Sequence, residues 1–178
     1  MKKTKILVLG LLAVGAVCIM NSCSVKVPND INVVKNFDIK SYAGQWYEIA
    51  RFDFKHEKDL KNVTATYTLN DDGSIKVVNK GYNYVKNEWE QSEGKAKFNG
   101  NESEAALKVS FFGPFYGGYN VVAMEPDYEN VLVFGENKDY IWILSRNKTI
   151  PQNVKDKFVA KAKEAGYDLN RLVWTEQD

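Results

Sequence analysis

The chain has 178 residues, a length that fits one domain with a sizeable core. Hydrophobic residues make up 44% of the chain and aromatic residues 13%, which excludes an intrinsically disordered protein. Outside the first 22 residues, 21 basic side chains face 23 acidic ones, so the chain lacks the basic surface of a nucleic-acid-binding protein.

The first 22 residues predict a lipoprotein signal peptide. Three lysines fall within the first five residues, and an uninterrupted apolar run of 15 residues follows, from Ile6 to Met20. This run is too short for a membrane span, which needs about 20 apolar residues. Ser22 and Cys23 resemble a bacterial lipoprotein processing site, although Met20 stands where leucine is usual. We predict lipidation at Cys23; an ordinary signal peptide with an incidental cysteine is the alternative.

Residues 23–36 are polar and predict a tether. Beyond them, eight runs rich in β-branched and aromatic residues alternate with turn residues such as Asn70–Gly73 and Gly113–Pro114, which predicts eight short strands. The predicted strands, in chain order, are Gln45–Phe52, Val63–Leu69, Ser74–Gly81, Glu88–Phe98, Ala105–Phe112, Gly118–Ala123, Val131–Phe134 and Tyr140–Ser145.

The hydrophobic period then changes to that of a helix. Apolar residues recur at helical spacing from Val154 to Ala165, which predicts an amphipathic helix over Pro151–Ala165, followed by a strand-like piece at Arg171–Thr175. These elements predict an all-β fold: an eight-stranded antiparallel up-and-down β-barrel with one C-terminal α-helix packed outside. A β-sandwich is the alternative, because the number of strands alone does not distinguish the two.

Several motifs, in this order and spacing, carry a family resemblance. The run Gly44–Arg51 (GQWYEIAR) is similar to the motif that opens the first strand of lipocalins. The runs Asn62–Tyr67, Asn79–Gly81, Lys108–Phe112, Gly117–Tyr119 and Trp142–Arg146 are similar to the bacterial outer-membrane lipocalins. The resemblance implies a lipocalin calyx over residues 37–177. One departure is Pro126–Tyr128, where the family usually has Thr-Asp-Tyr.

The strand order also predicts how the floor of the barrel closes. Strands alternate in direction, so Trp46, at the start of the first strand, and Arg146, just after the eighth, should meet at the same end. An arginine over an indole face is favourable by roughly 0.5–2 kcal/mol, and the resemblance implies this closure. The alternative is a core tryptophan and an unrelated surface arginine.

Side chains alternate between the two faces of a strand, and lysines mark the outer face. Glu48 should therefore face inward together with Trp46 and Ala50, with no partner evident, unless a bulge shifts the phase. The residues predicted to line a cavity and bind ligand are Ala65, Tyr67, Val77, Asn79, Leu107, Val109, Tyr119, Val121, Tyr140 and Trp142. A core filled by side chains, with no cavity, is the alternative.

The loops at the predicted open end combine basic and aromatic residues. The residues predicted at this mouth are Lys55, His56, Tyr82, Phe115 and Tyr116, with Lys58, Lys61 and Tyr84 close by. An apolar lumen with such a mouth predicts a lipid-binding protein that stores or transports fatty acids or lysophospholipids at the bacterial envelope, as the resemblance also implies. An anionic head group would stay near the lysines or His56.

The expected partners are therefore the lipid itself and the outer membrane, reached through the N-terminal lipid anchor; a homodimer is compatible with the sequence. Two alternatives stay open: a carrier of haem or another apolar pigment, for which His56 is the one available histidine ligand, and an envelope interaction protein with an incidental cavity. We predict no enzyme, no cofactor and no metal site, because the sequence shows neither a nucleophile elbow nor histidine or cysteine pairs.

Overall fold

The computed structural model describes residues 25, 27, 28 and 31–178. The predicted signal peptide and Cys23 lie outside these residues. Within the described part of the chain, no helix has both the length and the hydropathy needed to cross a membrane.

The described elements follow the predicted order, with additions at both ends. They are helix α1 (Ile39–Tyr42), strands β1 (Gly44–Phe52), β2 (Leu60–Leu69), β3 (Ile75–Asn83), β4 (Glu88–Phe98), β5 (Ala106–Phe112), β6 (Phe115–Met124), β7 (Asn130–Phe134) and β8 (Ile141–Ser145), helix α2 (Gln152–Glu164), a 3₁₀ turn (Leu169–Arg171) and strand β9 (Leu172–Trp174).

The eight long strands form a closed antiparallel barrel. Each of β2 to β7 pairs with the next strand in sequence, and β1 pairs with both β8 and β2, which closes the ring. Closure removes the unpaired strand edges that a β-sandwich would leave. The predicted up-and-down barrel with an outer C-terminal helix is thus confirmed, and β9 adds to the end of β1 as an extra strand.

A β-bulge in β1 changes which side chains face the lumen. Glu48 is opposite Leu144 and Ala50 is opposite Ile143, so Ile49 is an extra residue on the β1 side. Before the bulge, Trp46 and Glu48 face inward. The prediction that Ala50 shares their face is wrong, because the bulge turns Ala50 outward under α2. The next residue, Arg51, turns inward, opposite Trp142 and bonded to Glu48.

The core has two layers. One lies inside the barrel near its closed end, around Trp46. The other lies outside, where Val154, Phe158 and Ala162 of α2 pack against β7 and β8. The helix covers the wall of the barrel and leaves its open end free, so the lumen stays accessible.

The short helix α1, which the sequence did not predict, covers the closed end. Asp38 is its N-cap residue, because its carboxylate accepts hydrogen bonds from the backbone amides of Lys40 and Ser41. The helix places the fully buried Tyr42 directly over Trp46, with 4.9 Å between the ring centroids.

The residues after β9 close a seam in the barrel wall. Only the first four residues of β1 pair with β2. Further along β1, residues 175–178, here called the C-terminal strap, lie between the two strands. The Thr175 amide donates to the Ile49 carbonyl at 2.9 Å, and the next carbonyl of the strap accepts from the Asn62 amide at 2.8 Å. The strap therefore supplies backbone hydrogen bonds that β1 and β2 do not make with each other.

The side chain of Gln177 joins the two strands directly. Its amide nitrogen donates to the carbonyl of Glu48 in β1 at 2.8 Å and to the carbonyl of Val63 in β2 at 2.9 Å. One side chain thus bridges the seam near the open half of the barrel.

Candidate ligand-binding cavity

The barrel encloses a cavity of about 590 Å³ that opens at one end. Most of its wall consists of apolar and aromatic side chains, and its volume falls in the range of roughly 300–1,000 Å³ that is typical of small-molecule sites. The predicted residues that line it are Ala65, Tyr67, Val77, Asn79, Val109, Tyr119, Tyr140 and Trp142. The other two predicted residues, Leu107 and Val121, are fully buried and belong to the packed core beneath the cavity.

The floor of the barrel is closed by Trp46 and Arg146. The guanidinium carbon of Arg146 lies 3.8 Å from the centroid of the Trp46 ring, as the strand order predicts. The same guanidinium donates hydrogen bonds of 2.8–3.0 Å to the backbone carbonyls of residues 41, 42, 43 and 45. Arg146 therefore joins the end of α1, the start of β1 and the end of β8.

Three tyrosine hydroxyls meet between the floor and the cavity. The hydroxyl of Tyr119 lies 2.5 Å from that of Tyr42 and accepts a hydrogen bond from Tyr67 at 2.9 Å. Burial raises the pKa of all three phenols above the usual value, so the hydroxyls keep their protons. They give the base of the cavity, where most neighbours are apolar, a small polar region.

An aromatic wall lies higher in the cavity and consists of Phe54, Tyr140 and Trp142. Their ring centroids are 5.7–6.1 Å apart, with Phe54 edge-on to the other two rings. All three residues line the cavity. Phe54 comes from the loop after β1, and the other two come from β8 and the residue before it.

A buried group of charges lies beside the aromatic wall. Arg51 donates to the Glu48 carboxylate at 2.7 Å and to the backbone carbonyl of Glu57 at 2.6 Å. The Glu57 carboxylate accepts a hydrogen bond from the Trp142 indole at 3.1 Å. Arg51 therefore supplies the partner that the sequence did not reveal for Glu48. Arg51 itself sits within an apolar run, and the bulge that turns it inward leaves no local sequence signal.

The predicted mouth residues are only partly at the rim. His56, Phe115 and Tyr116 line the opening, with Phe115 78% exposed. Lys55 is exposed but lies outside the lining, and Tyr82 packs against Trp89 on the outer face, because β3 alternates with Val77 and Asn79 inward. The expected placement of Tyr82 at the opening is therefore wrong, whereas Lys55 lies in the loop between Phe54 and His56, both of which line the cavity.

The expected basic character of the mouth is also wrong for the lining residues. Lys61 pairs with Glu176 and Asp178 of the C-terminal strap. The charged residues that do line the cavity are mostly acidic: Glu48, Glu57, Glu90 and Glu136, against His56 and Lys80. Among the residues described, no group of three or more histidine, cysteine or acidic side chains is placed to hold a metal ion.

A closed eight-stranded barrel with a preformed apolar cavity open at one end defines a class of protein, the barrel carriers of small apolar ligands. Comparison with known proteins identifies the family. The model of the lipocalin-like domain matches residues 37–177, and the chain belongs to the lipocalin family. Proteins of this family are generally ligand-binding carriers, and this chain is accordingly a binder of small hydrophobic ligands.

Similar proteins show which group of lipocalins this chain resembles most in sequence. The chain is 52% identical to the outer membrane lipoprotein Blc of Escherichia coli K12 over 165 residues, which cover 93% of each chain. It is 42% identical to the Blc of Vibrio cholerae over 89% of this chain and 93% of the relative. The resemblance to the bacterial outer-membrane lipocalins is thus confirmed.

Solved structures agree on the fold. Lobster apocrustacyanin A1 superposes with a TM-score of 0.63 at 21% identity, over 86% of this chain and 94% of its own. Insecticyanin from the tobacco hornworm Manduca sexta gives a TM-score of 0.66 at 21% identity, over 82% of this chain and 84% of its own. At this identity the likeness concerns the architecture alone.

Proposed function

We propose that the protein stores or transports fatty acids or lysophospholipids at the bacterial outer membrane. The observation that carries this proposal is the cavity of about 590 Å³, apolar along most of its wall and open at one end. Such a shape suits a single acyl chain that enters from the mouth and leaves its polar head near the rim. The outer-membrane location follows from the relatives, which are named outer membrane lipoproteins.

We also propose that Cys23 carries the lipid that anchors the protein. The described Val25 supports a particular orientation, because its carbonyl accepts a hydrogen bond from Asn99 in the turn after β4, at the closed end. An anchor two residues earlier would attach the closed end to the membrane and direct the mouth away from it. Cys23→Ser should move the protein out of the membrane fraction, and retention there would contradict the anchor.

Lipid binding is tested with a matched pair of variants on one strand. Val77 lines the cavity, and its neighbour Val78 faces outward. Purified protein, stripped of lipid, is titrated with a lysophospholipid while the fluorescence of its four tryptophans is followed. We expect saturable binding that Val77→Trp abolishes and Val78→Trp spares, with folding of both variants checked by circular dichroism. A protein that shows no saturable change would refute the proposal.

Further experiments address the alternatives. Absorbance of the protein as isolated detects haem or another pigment, and mass spectrometry of co-purified lipid identifies the natural ligand.

Phe112 and Phe115 at the rim are 68% and 78% exposed, which favours an additional contact of this surface with a partner. If the protein is instead an interaction protein with an incidental cavity, substitution of Phe115 and Tyr116 should abolish partner binding and spare lipid uptake. Turnover of a bound lipid would contradict a pure carrier, and light scattering measures whether a homodimer forms.

A further inference from the structure

We propose that the cavity contains an ammonium-binding subsite at Glu57, so that the protein selects single-chain amphiphiles whose head group carries a positively charged ammonium. This inference rests on the proposed lipid binding and names the head group that the same cavity prefers. It reverses the expectation of a basic mouth that holds an anionic head.

The charged side chains that line the cavity are the first observation in favour of this subsite. Four carboxylates line it, against one histidine and one lysine. The ammonium of that lysine, Lys80, lies 4.6 Å above the ring of Trp89, which packs with Tyr82 on the outer face. Carboxylates therefore outnumber cations in the lining, although Glu90 pairs with Lys86 and Glu48 pairs with Arg51, each at 2.7 Å. Inside a barrel wall such charges act through a medium less polarisable than water.

The buried Arg51 neutralises only part of this negative charge, because it pairs directly with Glu48 and not with Glu57. Arg51 is 2% exposed and directs its donors to Glu48, Asp53, Thr175 and the backbone carbonyl of Glu57. Its nearest approach to the carboxylate of Glu57 is 4.0 Å. One guanidinium thus faces three carboxylates, and Glu57, which lines the cavity, is the least directly paired of them.

The surroundings of Glu57 also suit a cation. The indole that donates to its carboxylate belongs to Trp142, one ring of the aromatic wall with Phe54 and Tyr140. Aromatic rings attract ammonium groups through their negative faces, and more strongly when water is excluded. An ammonium at Glu57 would therefore contact both a carboxylate and aromatic rings, as quaternary ammonium ligands do in other proteins.

An independent observation concerns Asn79, deeper in the cavity wall. Its side-chain oxygen is buried and, within the described chain, accepts no hydrogen bond. A buried acceptor without a partner is costly and is usually satisfied by a ligand or a water. Together with the carboxylates it makes the cavity rich in acceptors, which favours a ligand that brings positive charge or donors.

Protonation of Glu57 makes the subsite dependent on pH. Burial, and then the charge of Glu48, raises the pKa of Glu57 to about 8, while Trp142 and Arg51 oppose the rise. The carboxyl therefore holds a proton below this pKa, and binding of an ammonium must displace that proton. The preference for a lipid with an ammonium head group should therefore strengthen as the pH rises from 6 to 9. Asp53 and His56 lie close by, so the comparison with Glu57→Gln isolates the part due to Glu57.

The experiment uses two lysophospholipids of equal chain length that differ in the ammonium. Full-length protein in lipid nanodiscs is mixed with equal amounts of lysophosphatidylcholine and lysophosphatidic acid and isolated by affinity, and the retained lysolipids are counted by mass spectrometry. Empty nanodiscs correct for partition into the bilayer. The variants are Glu57→Gln, which keeps the shape of the side chain, and Glu93→Gln, which removes a carboxylate that pairs with Lys76 on the outer face.

We expect the wild type to retain the choline lipid in about tenfold excess over the phosphate lipid at pH 8.5, and less at pH 6. Glu57→Gln should bring the ratio near one at every pH, with the summed lysolipid unchanged, and Glu93→Gln should behave as the wild type. A wild-type ratio near one, or a ratio that Glu57→Gln does not change, would overturn the subsite. If neither lysolipid exceeds the empty nanodiscs, the proposed lipid binding itself fails.

Discussion

Replacement of Arg146 by methionine should destabilise the barrel more than any other change of a single surface charge that we consider. The guanidinium holds backbone carbonyls at the end of α1 and the start of β1, and it covers the Trp46 ring at 3.8 Å. Loss of the cation–π contact costs roughly 0.5–2 kcal/mol. Each lost hydrogen bond from a charged donor costs about 1.5–3 kcal/mol, and less where water can replace the donor.

Since Arg146 is half-buried, water can reach some of the freed carbonyls. We therefore expect a loss of about 2–4 kcal/mol in the free energy of unfolding, a large part of the roughly 5–15 kcal/mol that holds a domain folded. With a denaturant slope of about 2 kcal/mol per molar urea, the unfolding midpoint should fall by about 1–2 M. Tryptophan fluorescence during urea titration measures this midpoint directly.

The matched control is Arg171→Met. Arg171 also lies over an aromatic ring, 4.7 Å from Phe52, and pairs with the exposed Asp139 at 2.9 Å. Its own side chain is exposed, so this substitution should cost less than about 1 kcal/mol. Arg146→Lys, which keeps the charge and loses the planar fork, should fall between the two. Equal midpoints for Arg146→Met and Arg171→Met would refute the reasoning.

Three further outcomes can be measured by the same unfolding titration. The raised pKa of Glu57 means that the folded protein holds a proton that the unfolded chain has released, so stability should decrease as the pH rises from about 4.5 to about 8. Glu57→Gln should remove most of this dependence of the unfolding free energy on pH. If the dependence persists in the variant, Glu57 is not its source. Gln177→Ala, which removes the bridge between β1 and β2, should cost about 1–2 kcal/mol and speed amide exchange along the seam. Gly94→Ala should cost about 1–3 kcal/mol, because a Cβ there would lie 2.8 Å from the Phe111 ring, whereas Gly113→Ala, with open space around it, should be neutral.

The order of the strands, the outer helix and the closure of the floor could all be predicted from local patterns. Turn residues and period-two alternation identify each strand, and alternation of strand direction is enough to bring Arg146 to Trp46. Most of the cavity wall follows from the same alternation. These features depend on short stretches of chain, so local sequence patterns are enough to predict them.

The charged part of the cavity could not be predicted in this way, because it depends on one extra residue. Ile49 bulges out of β1, and this shift sends Arg51 inward and Ala50 outward. Glu57 comes from a loop whose path depends on the whole barrel. Lysines near the loops predict a basic mouth, but the partners of Lys61 lie more than 100 residues away in the sequence, in the C-terminal strap.

The bulge in β1 links the seam of the barrel to the cavity. It brings Arg51 inward, where the guanidinium pairs with Glu48 and contacts Thr175 of the C-terminal strap. The Thr175 hydroxyl also donates to the Glu48 carboxylate at 2.6 Å. Buried ion pairs of this kind add little net stability, since the loss of hydration offsets most of the attraction. Stability therefore does not explain why three carboxylates surround Arg51 beside a mostly apolar cavity, whereas the ammonium subsite that we propose would make use of them, because a buried carboxylate attracts a cation with little screening by water.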